Sequence, residues 1–279
     1  MFEKSILVSA HPDDEVLWFS SILDKVDEVM TCYLDIPSKP HCRAGRQRSL
    51  LNYPIRNISC LGLVESESYN GADWQNPAIT KYGIEISNKL FSDKTYKSNY
   101  HKLKQHLQNK LKFFRNVFTH NPWGEYGNEE HVQIYRVIRE LQGHMDFELW
   151  FSNACSNKSF KLMMEVFLRH DIEYVTFKTN SELAQTIKNL YVANNCWTWY
   201  HDWEWFQEES FMKVGVEETD KQRTFGKHYP LNIINMWIPQ QAEASVSTGL
   251  RSRVQRMLKG MRRQWASWRR ATAFEGKKG

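Results

Sequence analysis

Ser5-Ile6-Leu7-Val8-Ser9-Ala10-His11-Pro12-Asp13-Asp14-Glu15 runs from a short β-branched apolar stretch into a His-Pro turn and then into acidic residues. The first five residues predict a strand. The acids stand where the positive end of a helix favours them, and apolar residues recur at helical spacing over 15–23. Downstream the alternation continues. Strands are expected at 29–36, 115–119, 147–152 and 173–178, and helices at 100–112, 129–141, 159–169 and 180–191. Residues 43–61 read as a basic helix-like segment interrupted by Pro54 and stopping at Gly62, and 64–99 as a long connection with one helix. Asn180 fits the N-cap of the helix that follows it. Strands alternating with helices predict an α/β fold with a largely parallel sheet covered on both faces.

Composition sets outer limits. The chain has 279 residues, 41% hydrophobic and 14% aromatic, enough for one large core, which excludes wholesale disorder. No apolar run approaches the ~18 residues of a membrane-spanning helix. The first eight residues pass straight into the His-Pro turn, leaving no room for a signal peptide. Five scattered cysteines (Cys32, Cys42, Cys60, Cys155 and Cys196) without a CxxC pair read as reduced thiols. The expectation is a globular cytoplasmic protein. The net charge of +5 is unevenly spread: residues 250–279 carry +9 and the remainder −4. Along 250–279, Leu250, Val254, Met257, Leu258, Met261, Trp265 and Trp268 recur at three- and four-residue spacing among arginines. That is the profile of a basic amphipathic helix, suited to an anionic membrane surface or to packing on protein. Nucleic acid is the least favoured partner, because nothing in the body supports it. The expected organisation is a domain over 1–212, an extension or linker over 213–249 and the basic tail over 250–279.

In parallel sheets ligands gather at the carboxyl ends of strands. That rule selects the loops after the first strand and after 115–119. His11 and an Asp three residues on can point at one metal ion. A second histidine-bearing loop, 119–131, can complete a His2Asp set that leaves a coordination position open, as catalytic zinc requires. A neighbouring carboxylate outside the ligand set can then act as base. Such a ligand face also suits non-haem iron, usually on an all-β barrel.

Ala10-His11-Pro12-Asp13-Asp14-Glu15 resembles the signature of the LmbE-like, or PIG-L, N-acetylglucosaminyl deacetylase family. Gly124-Glu125-Tyr126-Gly127-Asn128-Glu129-Glu130-His131 resembles that family's second motif, and Lys188, Tyr191 and Glu209-Ser210-Phe211 are weaker echoes of its later elements. The resemblance spans about residues 4–211. It implies a Rossmann-like three-layer α/β sandwich and zinc-dependent removal of an N-acyl group, usually acetyl, from an amino sugar that is free, nucleotide-linked or lipid-linked. Carried over by position, His11, Asp14 and His131 are the metal ligands, for one Zn2+ per chain or for Fe2+ or Co2+ on the same set. Asp13 is the general base, Tyr126 steadies the oxyanion, and Glu130 orients a histidine. Arg46 stands where the family tends to have a substrate-holding arginine, with a solvated helix face as its other reading, and Trp123, in the second loop, suits either stacking on a sugar ring or packing as an anchor. His120 is read as packing or orienting the loop rather than ligating. Where the family usually has a second histidine, this chain has Asn128. Three readings follow: Asp13 serves as base and acid, Asn128 donates to the oxyanion, or the chain keeps only sugar or membrane binding. Asn128 is also a natural N-cap for the helix that begins at Glu129.

Overall fold

β1 (Ser5–Ser9) is buried along its whole length and lies inside the main sheet of a computed structural model that describes residues 2–214 and 228–236. A strand covered on both faces needs apolar side chains at consecutive positions, which Ile6-Leu7-Val8 supply. The chain continues through α1 (Asp14–Trp18), β2 (Glu28–Asp35), α2 (Pro40–Leu51), β3 (Ile58–Val64), β4 (Ile79–Thr80) and β5 (Gly83–Ile84). Then come α3 (Asp93–Leu111), β6 (Asn116–Thr119), α4 (Glu129–Gln142), β7 (Glu148–Ser152), β8 (Ala154–Ser156) and α5 (Phe160–Arg169). β9 (Ile172–Lys178), α6 (Ser181–Ala193), β10 (Glu208–Val214) and β11 (Asn232–Ile234) complete the described chain.

The main sheet has seven strands in the order β3-β2-β1-β6-β7-β10-β9. The first five are parallel, whereas β10 runs antiparallel to both β7 and β9. α1 and α2 each pack on α6, and α3 packs on α4. The α/β, largely parallel, Rossmann-like layered fold therefore forms as expected.

From β1 the chain proceeds to β2 and β3 on one side, then returns to place β6 and β7 on the other. The strand order reverses between β1 and β6, and the crevice above their carboxyl ends is where such sheets hold ligands. Both loops singled out from the sequence emerge there.

Several expectations need correction. The helix expected at 15–23 stops at Trp18, because Ser20 Oγ and the Ser21 N–H donate to the buried Glu209 carboxylate at 2.6 and 2.9 Å. That contact spans most of the chain and overrides local periodicity. The segment 43–61 divides into α2 and the edge strand β3, whose half-exposed residues carry little pattern of their own. β10 ends at Val214, and β11 pairs in parallel with β8. Met1–Met236 forms one compact unit. The basic helix expected over 250–279, and the parts of 213–249 at 215–227 and 237–249, lie outside the described residues. Among the described residues no helix is long and apolar enough to cross a membrane.

Candidate metal centre

The loop after β1 is held from below. Asp13 has φ 118°, a left-handed value that costs a non-glycine residue of order 1–3 kcal/mol. The Asp13 N–H donates to Glu15 Oε2 at 2.9 Å, and Glu15 Oε1 accepts from the hydroxyls of Tyr53 (2.8 Å) and Tyr191 (2.7 Å). Burial still pushes the Glu15 carboxyl up to about 7. The turn closes through Asp14 N–H to His11 O at 3.1 Å and His11 N–H to Asp14 Oδ2 at 2.8 Å.

The loop after β6 is built around Gly124, Asn121 and Glu125. Gly124 has φ +66°, and a Cβ there would meet Asn128 O at 2.4 Å, so only glycine lets the chain fold back into α4. Asn121 Nδ2 donates to Ala154 O at 2.7 Å, and its Oδ1 accepts from the Glu125 N–H at 2.9 Å. This turns the Glu125 side chain inward. Its Oε1 accepts from Asn121 N–H (2.9 Å) and from the Ser152 hydroxyl, and its Oε2 faces His131 Nδ1 (2.8 Å) and His120 Nδ1 (3.1 Å). Burial opposes its charge, but the two histidines hold the carboxyl down at about 2. Glu125 was not anticipated from the sequence, although it lies inside the second motif.

Protonation states follow from these bonds. Glu125 cannot donate, so His131 Nδ1 and His120 Nδ1 carry hydrogens. His120 Nε2 accepts from the Ala10 N–H at 2.8 Å, which leaves it no lone pair for a ligand. His131 Nε2 has no such partner: it is buried, without a hydrogen bond, and 3.1 Å from Asp14 Oδ2. The distance is short, but the direction is wrong for N–H···O. His11 is also backed by a carboxylate, but its inner nitrogen stands in hydrogen-bond geometry with Asp14. Its Nε2 lies 2.9 Å from Glu130 Oε2, which burial would protonate but His11 and Ser66 keep charged, and its Nδ1 lies 2.8 Å from Asp14 Oδ2. Both imidazoles donate outward to a carboxylate and turn their inner nitrogens to a third carboxylate. Asp14 makes the inner space negative, and it is balanced either by protons on the two inner nitrogens, which Asp14 favours at both His11 and His131, or by a metal cation in their place.

This donor set fits a metal. His11, Asp14 and His131 can offer ligand atoms all within 4.8 Å of one another, and histidines backed by carboxylates are the usual supports of zinc ligands. Without the ion, burial opposes a charge on His131 but Asp14 and Glu125 outweigh it, pushing its pKa up to about 9. Asp14 is held well below the usual carboxylate range by His131 and His11 despite its burial. The site thus draws positive charge. Glu125→Gln is expected to weaken metal binding by about 10–100-fold, measured by competition with a chromophoric chelator. Unchanged affinity would show that the His131 support is dispensable.

The other anticipated residues divide. Asp13 lies beside the ligands but outside the set, with Oδ2 accepting from Thr198 N–H (2.9 Å) and Thr198 Oγ1 (2.5 Å). Burial and the neighbouring Asp14 push its carboxyl up to about 6 against Arg46 and Thr198. The Tyr126 ring meets the His131 ring edge-on at 5.3 Å. Asn128 caps α4 through Glu130 N–H to its Oδ1 (2.9 Å) and donates Nδ2–H to the Tyr126 hydroxyl (2.8 Å). It therefore reaches the site through Tyr126. Glu130 orients a histidine, but it is His11, across the cleft, and Ser66 N–H and Oγ hold its other oxygen. Arg46 is 1% exposed, with Nη1 on Glu65 Oε1 (2.6 Å) and Leu34 O (3.2 Å), so this guanidinium nitrogen serves the protein.

Trp123 had two readings, packing and sugar stacking. The structure has it packed: its ring is fully buried against Phe151 and Phe167 and its indole N–H donates to Ala154 O at 2.7 Å. The Asn121 turn rotates the side chain into the core. Trp123→Ala should destabilise the fold by about 3–5 kcal/mol in chemical denaturation. A variant of native stability would return Trp123 to a surface role.

No protein-family model matches the sequence, and no curated protein matches it. Among solved structures the chain is similar to a deacetylase of the teicoplanin biosynthesis pathway in complex with teicoplanin (11% identity, 78% of this chain and 99% of that one, TM-score 0.45). It is also similar to a zinc-inhibited form of teicoplanin deacetylase (12% identity, 79% and 100%, TM-score 0.46). The deacetylase of the A40926 pseudoaglycone is similar at 10% identity, over 78% and 99%, with a TM-score of 0.44.

Proposed function

We propose that the chain is a metal-dependent amidohydrolase that removes an N-acyl group, most simply acetyl, from an amino sugar, with Zn2+ on His11, Asp14 and His131. The observation that carries this reading is the convergence of His11 Nδ1, His131 Nε2 and Asp14 Oδ2, with a fourth carboxylate, Asp13, beside them and outside the set. The motif resemblance adds the substrate class. Zinc held there polarises a carbonyl and brings the pKa of water down towards neutrality.

The chain's own groups supply the rest. Asp13, with a carboxyl near 6, takes the proton of the attacking water. Asn128 Nδ2–H occupies a lone pair of the Tyr126 oxygen, which leaves the phenolic hydrogen free to donate to the oxyanion. Burial, with Asp14 nearby, holds the Tyr126 pKa well above the ordinary tyrosine value, so the phenol keeps that hydrogen. The leaving amine needs a proton. Asn128 has none to give, and the His120 nitrogens are engaged by Ala10 and Glu125. Asp13, protonated in the first step, passes its proton on as the C–N bond breaks, yielding a carboxylate and an amine.

Residues 250–279 carry the reading of a cytoplasmic enzyme peripheral to an anionic membrane and acting on a lipid-linked acceptor. The experiment is amine release from N-acetylated amino sugars presented free, nucleotide-linked and lipid-linked, with metal-loaded and chelated protein side by side. Metal-dependent release from one class is expected. Binding without release across the panel would move the chain to the inactive sugar-binding reading.

A further inference from the structure

The three candidate ligands and the base are almost shut off: Asp13 and Asp14 are each 2% exposed, His11 7%, and His131 is fully buried. An amide cannot touch them until something moves. Lying on Asp13 and on Tyr126 is the stretch between α6 and β10, which contains no helix or strand. Its Thr198 supplies both donors to Asp13 Oδ2 from 185 residues away. The Trp199 ring packs 4.7 Å from Tyr126 and 5.4 Å from Trp18, centroid to centroid.

We infer that residues 197–200 form a flap in which Thr198 positions Asp13 and Trp199 supplies the face on which the substrate ring lies. The inference rests on the amidohydrolase reading above and adds two residues to it. On its C-terminal side the flap is tied down. Lys188 Nζ donates to His201 O (2.7 Å) and Trp203 O (3.3 Å), and the Trp205 indole N–H donates to Val16 O (2.6 Å). Ahead of these ties Thr198 and Tyr200 are exposed, and two bonds to one carboxylate oxygen hold Thr198 down.

The indole N–H groups of Trp199 and Trp203 are shielded from water without an acceptor. Native structures rarely leave a donor so, since each costs roughly 1–3 kcal/mol. A ligand rich in hydroxyl oxygens offers what they lack, and the apolar face of a sugar ring suits an indole surface. Thr198 already rests on Asp13, so a flap that lifts to admit substrate and falls back over it remakes that contact, and the base is oriented again once substrate is enclosed.

Hydrogen–deuterium exchange of the full chain without substrate tests the flap separately from the activity. Amides 197–200 should exchange about tenfold faster than those of β10, and about tenfold faster again in Asp13→Ala, which removes the acceptor of the Thr198 N–H. Exchange as slow as in β10 and indifferent to Asp13→Ala would overturn the flap, whatever becomes of the amidohydrolase reading. With an active substrate in hand, Thr198→Val should lower kcat about tenfold at constant KM, with Thr198→Ser restoring it. Trp199→Ala should raise KM with little change in kcat. A Thr198→Val enzyme of full kcat would remove the positioning role. Unchanged KM in Trp199→Ala would remove the stacking role.

Discussion

His131→Ala purified without chelators should retain essentially no metal, where the parent chain holds about one ion. The substitution removes the inner nitrogen that lies 3.1 Å from Asp14 Oδ2 and leaves His11 and Asp14 as a pair, too few ligands for a tight site. It also strands Glu125, whose buried carboxylate loses a partner at 2.8 Å. The informative control is His120→Ala. The two imidazoles stack with centroids 3.7 Å apart and share Glu125, so composition cannot separate them. The Nε2 of His120 is occupied by the Ala10 N–H, however, and that variant should keep its metal. Metal analysis by mass spectrometry decides. Equal loss in both variants would mean that the loop, and not a specific nitrogen, holds the ion. Retention in His131→Ala would remove that residue from the ligand set.

Asp13→Asn should leave the metal bound and lower turnover by roughly 10²–10⁴-fold, the range for losing a positioned general base. An amide oxygen can still accept from Thr198 N–H and Oγ1, and the Asp13 N–H bond to Glu15 is untouched, so the turn should keep its shape. What disappears is the ability to take and return a proton near neutral pH. Amine release measured with metal content on the same preparation separates this from metal loss. A variant of undiminished activity would exclude Asp13 from proton transfer.

Much of this was legible along the chain because it is local. β1 reads as a strand from three consecutive apolar residues, and the His-Pro-Asp-Asp turn marks its exit. The N-cap role of Asn128 also needs only the residues that follow it. Glu125 was missed because an acid beside Tyr126 looks like a solvated loop residue. Only Asn121, reaching across to Ala154, turns it under two histidines. β10 escaped notice because its place depends on antiparallel pairing with β7 and β9.

By itself the sequence determined the alternation of strands and helices, the two loops that meet at the switch point, and the residue types they carry. Backbone preference and short-range spacing suffice for those. Tertiary structure alone decided that His131 keeps a nitrogen without a hydrogen bond while His120 does not, that Trp123 turns inward, that Glu130 serves His11, and that Thr198 reaches Asp13. Each of these depends on burial and on hydrogen-bond partners brought from distant parts of the chain, and neither exists until the sheet has closed.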